Sequence, residues 1–204
     1  MNFIMKTLLL TGFEPFLDFP INPSADIVNE LDGEEINGYK IVGKLLPVDF
    51  QETAPTVFGY IDEVNPDVVI SLGLAGGRNR ITPERIAINC NDGARDNNGV
   101  TPEDQPIAED GPDGYFSMLP IRKFVRVLEE NGYPAEISNT AGTYLCNNVM
   151  YSVLNKIDTE KRNCISGFIH IPASHKLAVG KPNLPSWSHK DLVDAVKVMI
   201  SSLN

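Results

Sequence analysis

Three residues, far apart in the chain, have side chains suited to nucleophilic catalysis. Cys146 stands in "SNTAGTYLCNN" (Ser138 to Asn148), where a short apolar run gives way to a helical pattern. Ser, Thr, Asp or Asn normally caps such a helix. A structural cysteine belongs in the middle of a core, whereas a reactive one gains from a helix N-terminus, whose dipole stabilises the thiolate. His170, near the end of "GFIHIP", offers an imidazole to take the thiol proton. Glu84, just past "SLGLAGGRNR", offers a carboxylate to fix the imidazole tautomer. Each also has a plainer reading. Cys146 suits a small packing residue, His170 a hydrogen-bonded core histidine, and Glu84 a surface ion pair with Arg78 or Arg85. Cys90 and Cys164 lie in or beside apolar strand patterns and read as structural. His175, in a loop, and His189, in the first turn of the last helix, are weaker candidates.

Positioning such residues requires a scaffold, and the sequence alternates strand-like and helix-like segments. "KTLLLTGF", "YKIVGKLLPV", "DVVISLGL", "RIAINC", "AEISN" and "CISGFIHI" read as strands. Between them, "NPSADIVNEL" reads as a helix begun at Asn22, and "FQETAPTVFGYIDEV" as another. "SMLPIRKFVRVLEENG" has a Ser117 cap and Gly132 past its end. "CNNVMYSVLNKI" carries Val149, Met150, Val153, Leu154 and Ile157 on one face, and a last helix opens at Ser188 with Asp191 three residues on. Continuous apolar strands alternating with helices imply a mostly parallel sheet covered on both faces. Ligands then bind beyond the C-terminal strand ends, where Cys146, His170 and Glu84 fall. Residues 1–204 show no linker or internal repeat and read as one domain. The polar segment from Asn91 to Asp113 reads as a functional surface excursion.

The net charge of −10 disfavours nucleic acid as a partner. No apolar run approaches a membrane span, and the N-terminus reads as a buried strand rather than a signal peptide. Three cysteines without close pairs argue against a disulfide framework or a zinc ribbon and for a reducing cytoplasm. "GLAGGR" (Gly73–Arg78) lacks the Walker Lys-Ser/Thr and the dinucleotide spacing, and its glycines fit a close backbone approach to a ligand. Phe13 and Phe16 in "TGFEPF" are either core residues or the walls of a small apolar pocket.

Taken together, "LLLTGFEPF", "GLAGGRNRITPERIAIN", "SNTAGTYLCNN" and "GFIHIP" resemble the pyroglutamyl-peptidase (pyrrolidone-carboxylate peptidase) family of cysteine exopeptidases. The resemblance runs from the N-terminus to about Pro172. It implies a three-layer α/β/α sandwich and a triad of Cys146 as nucleophile, His170 as base and then acid, and Glu84 as orienting group. It implies removal of N-terminal pyroglutamate from peptides by a cytoplasmic homo-oligomer, a dimer or tetramer, without metal or organic cofactor. Phe13 and Phe16 are then expected to wall the lactam pocket. The resemblance also implies substrate-binding roles for Leu74 and Arg95, which lie in two stretches that depart from the family pattern. Leu74 stands where the family commonly has Gln, and the loop around Arg95 departs from the usual "DARIPDN". Two other classes remain to be distinguished: a nucleoside- or phosphate-binding enzyme using "GLAGGR", and a catalytically silent pyroglutamyl-binding protein.

Overall fold

The computed structural model describes residues 5–16 and 19–203; residues 1–4, included in the reading of the N-terminus, lie outside the described residues. The first half contains β1 (Lys6–Phe13), α1 (Pro23–Leu31), β2 (Glu35–Ile36), β3 (Tyr39–Leu46), α2 (Thr53–Val64), β4 (Val68–Leu74), β5 (Thr82–Pro83) and β6 (Ile86–Ile88). The second half contains β7 (Gly114–Phe116), α3 (Ile121–Glu130), α4 (Leu145–Thr159), β8 (Ile165–Ile171), β9 (Ala173–Ser174), α5 (His175–Ala178), β10 (Ser186–Trp187) and α6 (His189–Ser201).

A six-stranded sheet runs in the order β2-β3-β1-β4-β8-β5. Its four central strands are parallel, and the short edge strands β2 and β5 are antiparallel to their neighbours. The strands are apolar on both faces because both faces are covered. Leu8, Leu10, Val68, Ile70, Leu72, Ile169 and Ile171 face α1, α3 and α6. Leu9, Phe13, Val69 and Phe168 face α2 and α4. This is the three-layer α/β/α sandwich. Strand order reverses between β1 and β4, the crevice where open α/β sheets bind ligands.

Several boundaries follow the sequence signals. Asn22 caps α1, its side-chain oxygen accepting from the Ser24 N–H at 3.1 Å, with Pro23 as the first helical residue. Ser188 likewise caps α6, accepting from the Asp191 N–H. Others differ. Pro120, without a side-chain cap, occupies the position expected of Ser117, whose hydroxyl accepts from the Leu119 N–H in the preceding turn. "AEISN" makes only single bridges, from Ala135 to Ile81 and from Ser138 to Glu84. "RIAINC" leaves the central sheet and pairs with β7 in a separate hairpin. The polar excursion is pinned by the Asn89 side chain, which accepts from the N–H groups of Ile107 and Ala108, and by reciprocal Asn91–Gln105 backbone bonds.

The end of β1 approaches the first turn of α1 so closely that only glycine fits at position 12. A Cβ there would lie 2.7 Å from the Ser24 carbonyl oxygen and 2.8 Å from its carbon, both backbone atoms that cannot rotate aside. Gly59, exposed in the middle of α2, has nothing within 4 Å of its missing Cβ. Gly12→Ala is therefore expected to destabilise the protein by about 1–3 kcal/mol. Gly59→Ala should stabilise it by about 0.5–1 kcal/mol through helix propensity. Chemical denaturation of the two variants checks the pair, and equal effects would contradict the packing described.

Candidate active site

Cys146 is the second residue of α4. Its helix begins without a side-chain cap: Tyr144, the N-cap residue, is extended and makes no capping bond, and the Asn148 N–H is the first to reach a helical carbonyl, at Tyr144. The N–H groups of the first turn therefore remain available to another acceptor. Two asparagines fasten this helix end. Asn147 is buried, with its side-chain oxygen accepting from the Ile88 N–H at 2.9 Å and its amide donating to the carbonyls of Ile88 and Cys90. The Asn148 amide donates to the Asn91 side chain.

β4 makes room for the thiol. Gly73 pairs in register with His170 on β8, and a Cβ on Gly73 would lie 2.6 Å from the Phe168 ring and 3.0 Å from the Cys146 Sγ. The Cys146 thiol, the strand that carries His170 and the Phe168 ring thus meet where one side chain is missing. The sequence suggests a ligand close to the "GLAGGR" backbone; at Gly73 the close approach is made by the Phe168 and Cys146 side chains.

His170 is 6% exposed and Glu84 fully buried. The imidazole Nδ1 lies 2.7 Å from the Glu84 Oε1, which also accepts from the Arg78 Nη1 at 2.9 Å. Because a carboxylate oxygen accepts, Nδ1 carries the proton and Nε2 keeps its lone pair. Glu84 does pair with Arg78, but through a fully buried carboxylate reached by a guanidinium about a third exposed, and the same oxygen serves the histidine. Arg85 turns away to the Asn139 side chain. His175 bonds Ser186 and His189 bonds Glu30, both at exposed positions.

Burial dominates the proton affinities. It lowers the His170 pKa below its ordinary 6.5, although the Glu84 hydrogen bond and charge pull the other way. It also pushes the Cys146 thiol up to about 12, with repulsion from Glu84 adding to burial while Arg78 and a backbone N–H oppose it. The helix terminus expected to favour a thiolate is present, but desolvation outweighs it. Both shifts favour the uncharged forms, a neutral thiol and a neutral imidazole.

A cavity of about 190 Å³ opens over Cys146 and His170. Phe13, Phe16, Leu74, Tyr144, Val48 and Asn22 contribute to its wall. Phe13 is 4% exposed and also part of the core, with its ring centroid 6.4 Å from that of Phe168. Phe16 is half-buried, 6.5 Å from the Tyr144 ring. The Leu74 side chain packs with Ala173 and Leu177. Arg95 is exposed and absent from the wall; its carbonyl accepts from the Tyr144 hydroxyl at 3.1 Å. Sequence reasoning did not single out Tyr144, Asn22 or Val48 as wall residues. Tyr144 stands two positions before Cys146 in the most distinctive motif, and that proximity was the available signal. Among the described residues no group of three or more His, Cys, Asp or Glu side chains is placed to hold a metal ion.

Comparison with known proteins agrees with this arrangement. A family model described as pyroglutamyl peptidase matches residues 5–204. The pyrrolidone-carboxylate peptidase of Oceanobacillus iheyensis is 58% identical over 200 residues, covering 98% of this chain and 100% of that protein. That of Lysinibacillus sphaericus is 55% identical over 196 residues, covering 96% of each. A mutant pyrrolidone carboxyl peptidase from the hyperthermophile Pyrococcus furiosus superposes with a TM-score of 0.94 at 42% identity, covering 97% of each chain. Pyroglutamyl peptidase I of Bacillus amyloliquefaciens gives 0.94 at 36% identity, over 97% of this chain and 96% of that one. Matched over nearly its full length in both sequence and structure, this chain belongs to the pyroglutamyl peptidase family of cysteine-type hydrolases.

Proposed function

We propose that Cys146, His170 and Glu84 carry out the family's reaction in this chain. The chain is a cysteine-type pyroglutamyl peptidase, a hydrolase that removes N-terminal pyroglutamate from peptides. The observation that carries the assignment of roles is the cavity shared by Cys146 and His170, with the buried Glu84 carboxylate on the far nitrogen of the imidazole.

With thiol and imidazole both neutral at rest, proton transfer and attack are linked. The Cys146 thiol gives its proton to His170 Nε2 as Sγ attacks the pyroglutamyl carbonyl carbon. The carbonyl oxygen takes up the displaced electron pair, and the uncapped N–H groups at the start of α4 receive the oxyanion. The tetrahedral intermediate collapses as His170 protonates the leaving amine, breaking the C–N bond and leaving a thioester on Cys146. Water then adds to the thioester with its proton passing to His170, and pyroglutamate leaves as Sγ regains a proton. Glu84 accepts from Nδ1 throughout and stabilises the imidazolium formed in each half-reaction.

Phe13, Phe16 and Leu74 make the lactam pocket in this reading, and its apolar wall suits a neutral ring. Arg95 enters only through the carbonyl that holds Tyr144. Residues 1–204 act as one catalytic domain, forming a homodimer or homotetramer in a reducing cytoplasm. The free cysteines Cys90, Cys146 and Cys164 support that setting. No described helix is long and apolar enough to cross a membrane. A nucleoside- or phosphate-binding role gains nothing from "GLAGGR", whose arginine is engaged by Glu84.

Cys146→Ser should lower kcat on a pyroglutamyl fluorogenic amide by more than about 10³-fold with an unchanged fold, while Cys90→Ser and Cys164→Ser keep most activity. Glu84→Gln should lower kcat by about 10²–10⁴-fold with little change in KM. His170→Ala should also slow alkylation of Cys146 by iodoacetamide at neutral pH, because the buried thiol then lacks its proton acceptor. Mass spectrometry of the alkylated peptide reads this, and unchanged alkylation would overturn the neutral-pair mechanism. A wild-type protein that binds pyroglutamate without thiol-dependent turnover would support the silent-binder alternative.

The pH dependence follows from the lowered pKa of His170. The base is lost when His170 takes a proton, so the acid limb of kcat/KM belongs below the ordinary histidine value of 6.5. A limb above 6.5 would mean that Glu84 outweighs burial.

The pocket should also discriminate between rings. A prolyl amide has the same ring size but carries a charged amine into an apolar wall and lacks the lactam carbonyl. Unpaired polar groups in a closed site cost about 10⁴–10⁵ in selectivity, against about 10–200 for a missing methylene. Pyroglutamyl and prolyl amides should therefore differ by orders of magnitude in kcat/KM. Phe16→Ala should chiefly raise KM. Phe13→Ala, in the core as well, should in addition cost about 3–5 kcal/mol of stability. Comparable cleavage of the two amides would overturn the pocket assignment.

A further inference from the structure

We infer that Arg78 is a positioning residue for the reaction, delivered by the glycine-rich turn to hold the Glu84 carboxylate against His170. The inference rests on the triad reading above and adds to it the group that fixes the third member.

The turn after β4 is built to bring an arginine inward. Gly77 has φ +99°, a conformation that L side chains rarely adopt, and the Arg78 N–H closes the turn onto the Ala75 carbonyl at 3.1 Å. The guanidinium then makes two bonds from one nitrogen. Arg78 Nη1 donates to the Glu84 Oε1 at 2.9 Å and to the Thr82 hydroxyl at 2.5 Å. Thr82 is itself buried and pairs in register with His170 across β5 and β8. Arg78 therefore bridges the carboxylate to the strand residue lying beside the imidazole. The Glu84 Oε2 has no hydrogen-bond partner among the described residues. The carboxylate is thus held through Oε1 alone, by Arg78 and His170 together.

A fully buried carboxylate also needs a compensating charge. The charged or titratable groups facing Glu84 are His170 on β8, Cys146 on α4 and Arg78 on the turn. Neighbouring cations point elsewhere: Arg85 to Asn139 and Arg80 to Glu136 at the surface. Arg78, an arginine bonded to the Glu84 oxygen at 2.9 Å, supplies that compensating charge. Arg78 is not among the residues that line the cavity and, in this reading, does not touch the substrate, so its effect belongs in kcat and in pH dependence rather than in KM.

The test is the kcat and KM pH profile of Arg78→Met and Arg78→Lys on a pyroglutamyl fluorogenic amide, with folding followed by circular dichroism. Arg78→Met is expected to lower kcat at neutral pH by about 10–100-fold, as for a misplaced catalytic group, with KM little changed. Its acid limb should move to higher pH, because both the loss of the countercharge to Glu84 and the loss of repulsion on His170 act in that direction. Arg78→Lys keeps the charge but cannot reproduce the guanidinium geometry, so its limb should stay nearer the wild type while kcat remains reduced. A pH profile and kcat in folded Arg78→Met that superimpose on the wild type would overturn the inference. If that variant does not fold, Arg78→Lys decides: a lowered kcat at unchanged KM supports the role, and wild-type kcat overturns it. Thiol-independent turnover by the wild type would instead be a failure of the triad assignment itself.

Discussion

A carboxylate with no solvent contact has to be compensated where it stands, and the site is organised around that requirement. Glu84 is fully buried, and one of its oxygens receives both the His170 ring nitrogen and the Arg78 guanidinium. Removing one partner of such a buried pair typically costs about 3–5 kcal/mol, less where one partner is about a third exposed, as Arg78 is. The backbone around Glu84 is accordingly over-determined. Its N–H donates to the Phe168 carbonyl, it bridges Ser138, and β5 just before it pairs with β8 through Thr82 and Pro83. The carboxylate and the histidine it serves are thus tied to the same strand, so their separation is set by sheet hydrogen bonds rather than by a flexible loop.

The second constraint is steric. Parallel pairing brings Gly73 of β4 beside His170 of β8, and the absent side chain at Gly73 leaves the volume that the Phe168 ring and the Cys146 sulfur occupy. Gly12 has the same relation to α1, allowing the strand end to close on the turn that carries Asn22. Two strand-end glycines on either side of the switch in strand order thus let helices come within contact of the sheet edge. Ridges of side chains would otherwise hold those helices off, and the thiol would stand too far from the imidazole.

Much of this organisation was legible in the residues. The apolar strands specified a parallel sheet because only burial on both faces tolerates runs such as "DVVISLGL", and Asn22–Pro23 and Ser188 marked helix starts through local hydrogen bonding. What local pattern could not show was pairing across long separations. "RIAINC" has strand composition, yet its partner is β7, and no periodicity reveals which sheet a short strand will join. Ser117 has the right type for a cap, but the chain turns before the helix and Pro120 takes the position. Within the site, Arg78 was visible as a neighbour of Glu84, but whether a Glu–Arg pair lies at the surface or inside depends on the tertiary fold. The proton affinities were the least legible. The helix N-terminus can be read from sequence, whereas the desolvation that overrides it depends on what packs around the sulfur.

That desolvation shapes how the site can work. A thiolate–imidazolium pair formed in advance would place two charges beside Glu84 and Arg78 in a poorly solvated interior. In the proposed mechanism the neutral pair avoids that cost at rest and separates charge only while the carbonyl oxygen is also gaining negative charge. In that mechanism the first-turn N–H groups of α4, left without a cap, meet an anion that did not exist in the ground state, so their stabilisation falls on the transition state rather than on the free enzyme. A capping serine or aspartate at Tyr144 would satisfy those donors permanently and compete with the oxyanion for them. An uncapped helix with cysteine at its second position is a poor choice for stability. It is the arrangement that leaves the same backbone groups free for the oxyanion of the proposed mechanism.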